Sequence, residues 1–372
     1  MVKFVQTSDW QIGMKAGGLG DAGAFVRETR IESVSNIFEI AKENDVDFVL
    51  ICGDVFEHNM VSSEDVLKIV SIFSKYPDIP LYLLPGNHDK LGPDCVYNRD
   101  IFNRIPNLTI LRTCESINVN DATLHPLPIE TYFQKAINTE MMPCVKELEG
   151  VHIGVAHGSL VGALSPEYEL DYPIDPSCVE KSGIDYLALG HWHSYREYKD
   201  ENNVTRIAYS GTHEQTKYDE DSAGYCLLVE INKKVAIPKI SPIKCCSLNW
   251  QSFDFEMKDV ASINELSKHL ESYKEADMLR LTLCGQLPME QKGELENLLI
   301  YHEAQHRKFR VNKDKIQYIV PFKPEEILDL GDPTLNQTDR HLRSLLQSEN
   351  NPKRIEILIE ALSLLQRLAE VV

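Results

Sequence analysis

Nine polar side chains stand out in this 372-residue sequence because each follows a short apolar run. Asp9 and Gln11 come after residues 2–6, and Asp54 comes after residues 46–51 within Cys52-Gly53-Asp54-Val55-Phe56. Asn87, His88 and Asp89 follow residues 80–84, His157 follows residues 151–156, and His191 and His193 follow residues 184–189. Carboxylates, amide oxygens and imidazoles are together the donors of hard-to-borderline divalent cations. A carboxylate shared between two such ions, with the other donors completing each shell, holds a pair ~3.5–4 Å apart and activates water for hydrolysis. Taken singly, each residue has an ordinary reading: an Asp after a strand is a turn residue, Asn-His is common in turns, and His-x-His lies on strand surfaces. Five apolar runs in succession, each ending in such a donor, point instead to a dinuclear metal site.

Elements must bring those donors together. The runs read as buried strands, and ligands in α/β sheets bind at the carboxyl ends of strands. Glycines beside most of the donors permit the tight turns that aim short side chains inward. Val26, Val34, Ile37, Phe38 and Ala41 fall near helical spacing, and Ser62-x-x-Asp65 opens a second helix. Residues 204–240 are strand-rich. The expected fold is therefore layered α/β: a two-sheet sandwich flanked by helices over residues 1–242, with the register breaking around Pro238–Pro242. Residues 243–320 read as a small α/β cap domain, with strands at 252–255, 278–283 and 308–320, a helix at 289–303, and another opened by a capping box at Ser262-x-x-Glu265. Residues 321–372 read as C-terminal helices at 337–348 and 353–371. Ile355, Leu358, Leu362, Leu365 and Leu368 make one stripe, and Ile357, Ile359, Ala361, Leu364 and Ala369 add apolar residues elsewhere. A helix apolar over most of its circumference needs a second surface, either its own domain or another protein's helices.

Hydrophobic content of 43% and charged content of 26% are those of a soluble globular chain. No apolar run spans a bilayer, so no membrane association is expected. The start of the chain lacks signal-peptide features. Nine cysteines, an odd number without a framework, suit a reducing compartment. The expected location is cytoplasmic. The net charge of −19 opposes a polyphosphate substrate, so if the substrate is nucleic acid a partner must supply much of the grip.

In order, the DxQ, GDVFE, GNHD, VAHG and GHWH segments resemble the motif series of calcineurin-like metallophosphoesterases, and Ser210-Gly211-Thr212 fits the same series. The domain layout resembles the SbcD-type nuclease subunits of DNA double-strand-break repair. The resemblance implies that Asp9, Gln11, Asp54 and His193 surround one metal, and that Asp54, Asn87, His157 and His191 surround the other, with Asp54 as bridge. It implies that His88 protonates the leaving oxygen, while Asp89 either orients that ring or caps the next turn. Relatives place a phosphate-contacting histidine three residues after the bridging aspartate. Here that position is Glu57, and His58 is the candidate in its stead. Gln11 stands where the family has histidine, and its neutral amide oxygen is a weaker donor expected to tune or weaken one ion. Two divalent ions are implied; Mn2+ suits the mixed nitrogen and oxygen donors best, with Mg2+, Fe2+ and Zn2+ also compatible. The implied function is a DNA exo- or endonuclease subunit in DNA repair, working with an SbcC-like coiled-coil ATPase docked on the C-terminal helices, and able to form a homodimer. Two other readings stand beside it: a small-molecule nucleotide phosphodiesterase or phosphatase, and a metal-stabilised non-catalytic subunit. His125, His152, His213, His269, His302, His306 and His341 show no ligand spacing, and His152, inside a strand pattern, reads as structural.

Overall fold

The computed structural model describes residues 1–20, 22–131, 133–162, 171–218, 220–232, 234–319 and 330–369. Residues 321–329 of the expected C-terminal segment, residue 320 of the last cap strand and residues 370–371 of the last helix lie outside them, as do the side chains of Leu368 and Ala369. The chain forms two compact units, Met1–Trp250 and Gln251–Val372.

The first unit begins with β1 (Val2–Thr7), α1 (Ala22–Glu43), β2 (Phe48–Cys52), α2 (Ser63–Ser74), β3 (Leu81–Leu84) and β4 (Leu108–Ile110). It continues with β5 (Ile117–Val119), β6 (Ala122–Leu127), β7 (Val151–His157), α3 (Ser177–Ser182), β8 (Tyr186–Gly190), β9 (Arg196–Lys199) and β10 (Thr205–Tyr209), then β11 (Tyr225–Ile231) and β12 (Pro238–Lys244). One sheet has the order β12-β11-β1-β2-β3-β4 and the other β5-β6-β7-β8-β10-β9. Strands β1 to β4 run parallel, as do β6, β7, β8 and β10. The antiparallel strands lie towards the edges.

Alternation along the strands builds the layers, since successive side chains face opposite ways. Phe4, Phe48, Leu50 and Leu84 meet Leu124, Ile153, Val155 and Tyr186 between the sheets. Val5, Val49, Ile51, Leu81 and Leu83 face outward onto Val34, Ile37 and Phe38 of α1 and Ile69 and Phe73 of α2. The outer face of the second sheet buries Leu187, Leu189, Ile207 and Tyr209 with Ile137, Met142 and Val179. This is the expected two-sheet sandwich flanked by helices. One polar residue sits in the middle layer: Gln6 donates to the carbonyls of Leu189 (3.1 Å) and Ala208 (2.9 Å) and accepts from Tyr186 Oη (2.5 Å). An unpaired amide there would cost about 1–3 kcal/mol, so Gln6 fixes how the two sheets align just below the site.

Ser62 caps α2 as its spacing predicts, accepting the Asp65 N–H at 3.0 Å. Two local expectations fail. Pro238 and Pro242 do not break the register but lie in β12, opposite Ile231 and Leu227. The strand is at the sheet edge, where a missing N–H removes no bond from a central ladder. Ser262 does not open its helix either. It lies inside α4 (Ala261–Leu270), buried, and Asp259 caps the turn by accepting the Ser262 N–H at 3.1 Å.

In the second unit β13 (Trp250–Met257), β14 (Met278–Pro288) and β15 (Lys308–Ile319) form one sheet in that order, with α5 (Lys292–Gln305) crossing between parallel β14 and β15. Ile263, Leu266, Leu279, Leu281, Leu295 and Leu299 form its core. Helices α6 (Pro333–Ser348) and α7 (Pro352–Ala369) pack on each other, and Asp332 caps α6. Leu362 is buried on α7, whereas Ile357, Ile359 and Leu364 are exposed. Among the described residues no helix is long and apolar enough to cross a membrane.

Candidate metal centre

The ends of β1, β2, β7 and β8 meet at one rim, stitched by backbone bonds. The Asp9 N–H donates to the Gly53 carbonyl (3.0 Å), the Gln11 N–H to the Asp54 carbonyl (2.9 Å), and the His191 N–H to both Asp9 carboxylate oxygens (3.1 Å each). Asp9, Gln11, Asp54 and His191 all hold positive φ, at 56°, 44°, 55° and 103°. Non-glycine residues adopt this region at a cost and persist there when surrounding structure over-determines them, as at functional sites. Gly86 is required by close approach, since a Cβ there would collide with Asp54 Oδ1 and its backbone N.

Asp54, Asn87, His157 and His191 converge. Asn87 Oδ1 lies 2.9 Å from both His157 Nε2 and His191 Nδ1, and Asp54 Oδ2 lies 3.2 Å from His157 Nε2. The ligand atoms of Asp54, His157 and His191 all lie within 4.8 Å of one another. The Cys52 carbonyl sits 2.7 Å from His157 Nδ1 and can only accept, so that nitrogen carries the proton. His157 Nε2 therefore turns a lone pair toward a carboxylate and an amide oxygen. Only a proton or a cation reconciles three such atoms, and a divalent ion fits the donor set. The same pressure shows in the titration behaviour. Burial alone would lower His157, but the Asp54 charge and bond outweigh it and raise it to about 9. Burial would raise Asp54, but His157 and His88 pull it well below the usual carboxylate range. His191 is lowered to about 4 by burial and by His157.

Asp9 and His193 lie beside this group. Asp9 is fully buried, accepts from Ser8 Oγ at 2.5 Å, and is raised chiefly by burial. His193 Nδ1 lies 3.0 Å from Glu220 Oε1; burial would lower the ring, but Glu220 and Asp9 raise it. Gln11 is half-buried, and its side chain makes no hydrogen bond to another described residue. It lines a cavity of about 500 Å3 with Lys15, Arg27 and Lys68.

His88 sits at the rim with its side chain 37% exposed, its Nε2 4.0 Å from Asp54 Oδ2. Its N–H donates to Asp54 Oδ1 (2.9 Å), and its Nδ1 donates to the Glu57 carbonyl (2.8 Å). Burial would lower the ring, but Asp54 and that carbonyl raise it. Asp89 does not orient His88, a correction to one of its two expected roles. It is fully buried and accepts from Gly86 N–H (2.7 Å), Phe56 N–H (3.1 Å) and Tyr97 Oη, tying the 54–57 loop to the 86–89 loop. Burial followed by the Asp54 charge raises it to about 6. His58 is exposed on the 57–61 turn.

Several supporting groups carried no sequence signal. Glu220 belongs to the acidic stretch Tyr218-Asp219-Glu220-Asp221, which reads as a solvated loop. Arg30 is buried and donates to the carbonyls of Trp10 (2.6 Å) and Glu214 (2.5 Å) and to Thr212 Oγ1 (3.2 Å), pinning the Asp9–Gln11 turn to the 210–214 loop. The carbonyls of Cys52 and Glu57, which set two imidazole tautomers, are invisible in side-chain patterns. His213 does not enter the site; it is buried, with Nε2 2.7 Å from the Arg30 carbonyl.

A family model described as calcineurin-like phosphoesterase matches residues 2–195, just over half of the chain. The DNA double-strand break repair protein Mre11 of Saccharolobus solfataricus is 21% identical over 343 residues, covering 86% of each chain. The uncharacterized metallophosphoesterase YhaO of Bacillus subtilis is 27% identical over 179 residues, 46% of this chain and 42% of that protein. Among solved structures, TT1561 of Thermus thermophilus aligns with a TM-score of 0.43 at 11% identity, over 65% of this chain and 98% of that one.

Proposed function

The chain belongs to the calcineurin-like phosphoesterase family, and from that premise we propose that it is a dinuclear-metal phosphodiesterase acting on DNA. The observation that carries the hydrolytic reading is the convergence of Asp54, Asn87, His157 and His191, with His88 on the rim beside them. Asp9, Gln11, Asp54 and His193 would hold one ion, and Asp54, Asn87, His157 and His191 the other. When bound, two divalent ions, best Mn2+ for these donors, supply an activated water and offset charge on the phosphate. The chain's own residues do the rest. The Glu57 carbonyl accepts from Nδ1 and so fixes the His88 ring with Nε2 toward the site, where it can carry the proton. His88 thereby holds a proton ready for the leaving oxygen. Asp89 keeps the two loops that carry Asp54 and His88 in register.

DNA as substrate is supported by a relative, named for double-strand break repair, that matches over 86% of both chains and so beyond the catalytic unit. A chain of net charge −19 needs help to hold DNA. The exposed Ile357 and Leu364, seven residues apart on one side of α7, offer an apolar face for an SbcC-like coiled-coil ATPase, in a cytoplasmic complex, with Ile359 exposed on the other side. Incubation of the purified protein with Mn2+ and single- or double-stranded DNA, with and without the ATPase, tests this. Cleavage supports the reading, and intact DNA in every arm overturns it. In a parallel panel of nucleotide esters, turnover of cyclic nucleotides far faster than DNA would favour the small-molecule alternative.

A further inference from the structure

The Asp9 side of the site has one imidazole where the other side has two, and a buried carboxylate stands directly behind it. We propose that Glu220 is a positioning residue that fixes the tautomer and basicity of His193, supplying binding strength that the neutral Gln11 amide does not. The proposal rests on the reading above, which places Gln11 and His193 around one ion.

Glu220 is 4% exposed. Its Oε1 accepts from His193 Nδ1 (3.0 Å) and Thr216 Oγ1 (2.6 Å), and its Oε2 accepts from the Thr216 N–H (2.5 Å). Backbone bonds close the pair in on both sides, Thr212 N–H to the His193 carbonyl (2.9 Å) and Tyr195 N–H to the Ser222 carbonyl (2.9 Å). Both Glu220 oxygens accept from Thr216, and at the 3.0 Å contact Oε1 accepts again, so His193 donates from Nδ1 and its Nε2 keeps a lone pair. A carboxylate behind a ligating imidazole raises its basicity and locks its orientation. The other imidazoles are backed differently. His157 leans on the neutral Cys52 carbonyl, and His191 faces Asp171, which is 58% exposed and screened by water. His193 alone among these three is backed by a buried full charge. That charge sits on the side of the site where histidine has given way to Gln11.

Glu220→Gln is the sharpest test, because it keeps the shape but leaves one carbonyl oxygen for two N–H donors, His193 Nδ1 and Thr216 N. Mn2+ titration by calorimetry, 15N spectra of the histidine rings and thermal unfolding are read together. The expected result is a roughly 10- to 100-fold weakening of one binding step with the other unchanged, and loss of the pure Nδ1–H signature at His193. Glu220→Ala should weaken the same step at least as much. Adding Gln11→His to Glu220→Gln should restore it. An unchanged isotherm and tautomer in Glu220→Gln would overturn the proposal, as would equal weakening of both ions with a lowered melting temperature, or no recovery on adding Gln11→His. Failure of the phosphodiesterase reading shows separately, as no hydrolysis of DNA or nucleotide esters by fully loaded wild-type protein.

Discussion

Asp54 divides the site into halves of unlike construction. On one side Asn87, His157 and His191 touch one another, and buried carbonyl and amide contacts fix each ring. On the other side Asp9, Gln11 and His193 are placed through backbone bonds, the Arg30 anchor and Glu220, and Gln11 has no side-chain partner among the described residues. The first half is preorganised by its own donors. The second half depends on groups behind the donors, so its strength can change without any ligand changing.

The largest effect should come from the residue common to both halves. Asp54→Asn should lower phosphodiester hydrolysis by ~10^3-fold or more, since a lost shared carboxylate is worth several kcal/mol. Calorimetry should show both Mn2+ steps weakened; loss of one step alone would mean that the halves do not share Asp54. His88→Asn should lower kcat by about 10^2- to 10^4-fold while both ions bind normally. A changed metal isotherm in that variant would make His88 a ligand rather than the proton donor.

Asp89→Ala probes the scaffold under the preorganised half. It strips the acceptor from Gly86 N–H, Phe56 N–H and Tyr97 Oη, and should cost roughly 2–4 kcal/mol in urea unfolding. A loss below about 1 kcal/mol would show that the two loops hold their register without it.

The smallest expected effect is a control away from both halves. Burial, with help from His152, lowers His125 from its usual 6.5 to about 4. Its folded value is below its unfolded value, so the unfolded chain binds the extra proton between those limits. Stability from this group should be fully present above pH 6.5 and lost as pH falls toward about 4. His125→Gln should flatten that slope relative to wild type in urea midpoints measured across the same range. An unaltered slope would assign the acid sensitivity to His191 or His213, whose rings are also lowered by burial.

Much of this arrangement was legible in the sequence because its strands are covered on both faces and so read as unbroken apolar runs. The apolar runs before Asp54, Asn87, His157 and His191 are strands, and Ser62 caps α2 as its spacing predicts. What stayed hidden depends on contacts between distant residues. Glu220 reaches His193 across 27 positions, and Arg30 reaches Glu214 across 184. Pro238 and Pro242 read as a break because sequence does not show that β12 is an edge strand. Asp89 and His88, adjacent in the chain, take different roles because one points into the loop junction and the other to the rim. The left-handed backbone at Asp9, Gln11 and Asp54 has no signature in residue type.

The central claim is that Asp54 bridges two divalent ions, one held by each half. An anomalous difference map from crystals soaked in Mn2+ tests it most directly. The account predicts two peaks ~3.5–4 Å apart, on either side of the Asp54 carboxylate, one beside His157 and His191 and one beside Asp9 and His193. A single peak, or a pair that does not share Asp54, would contradict it.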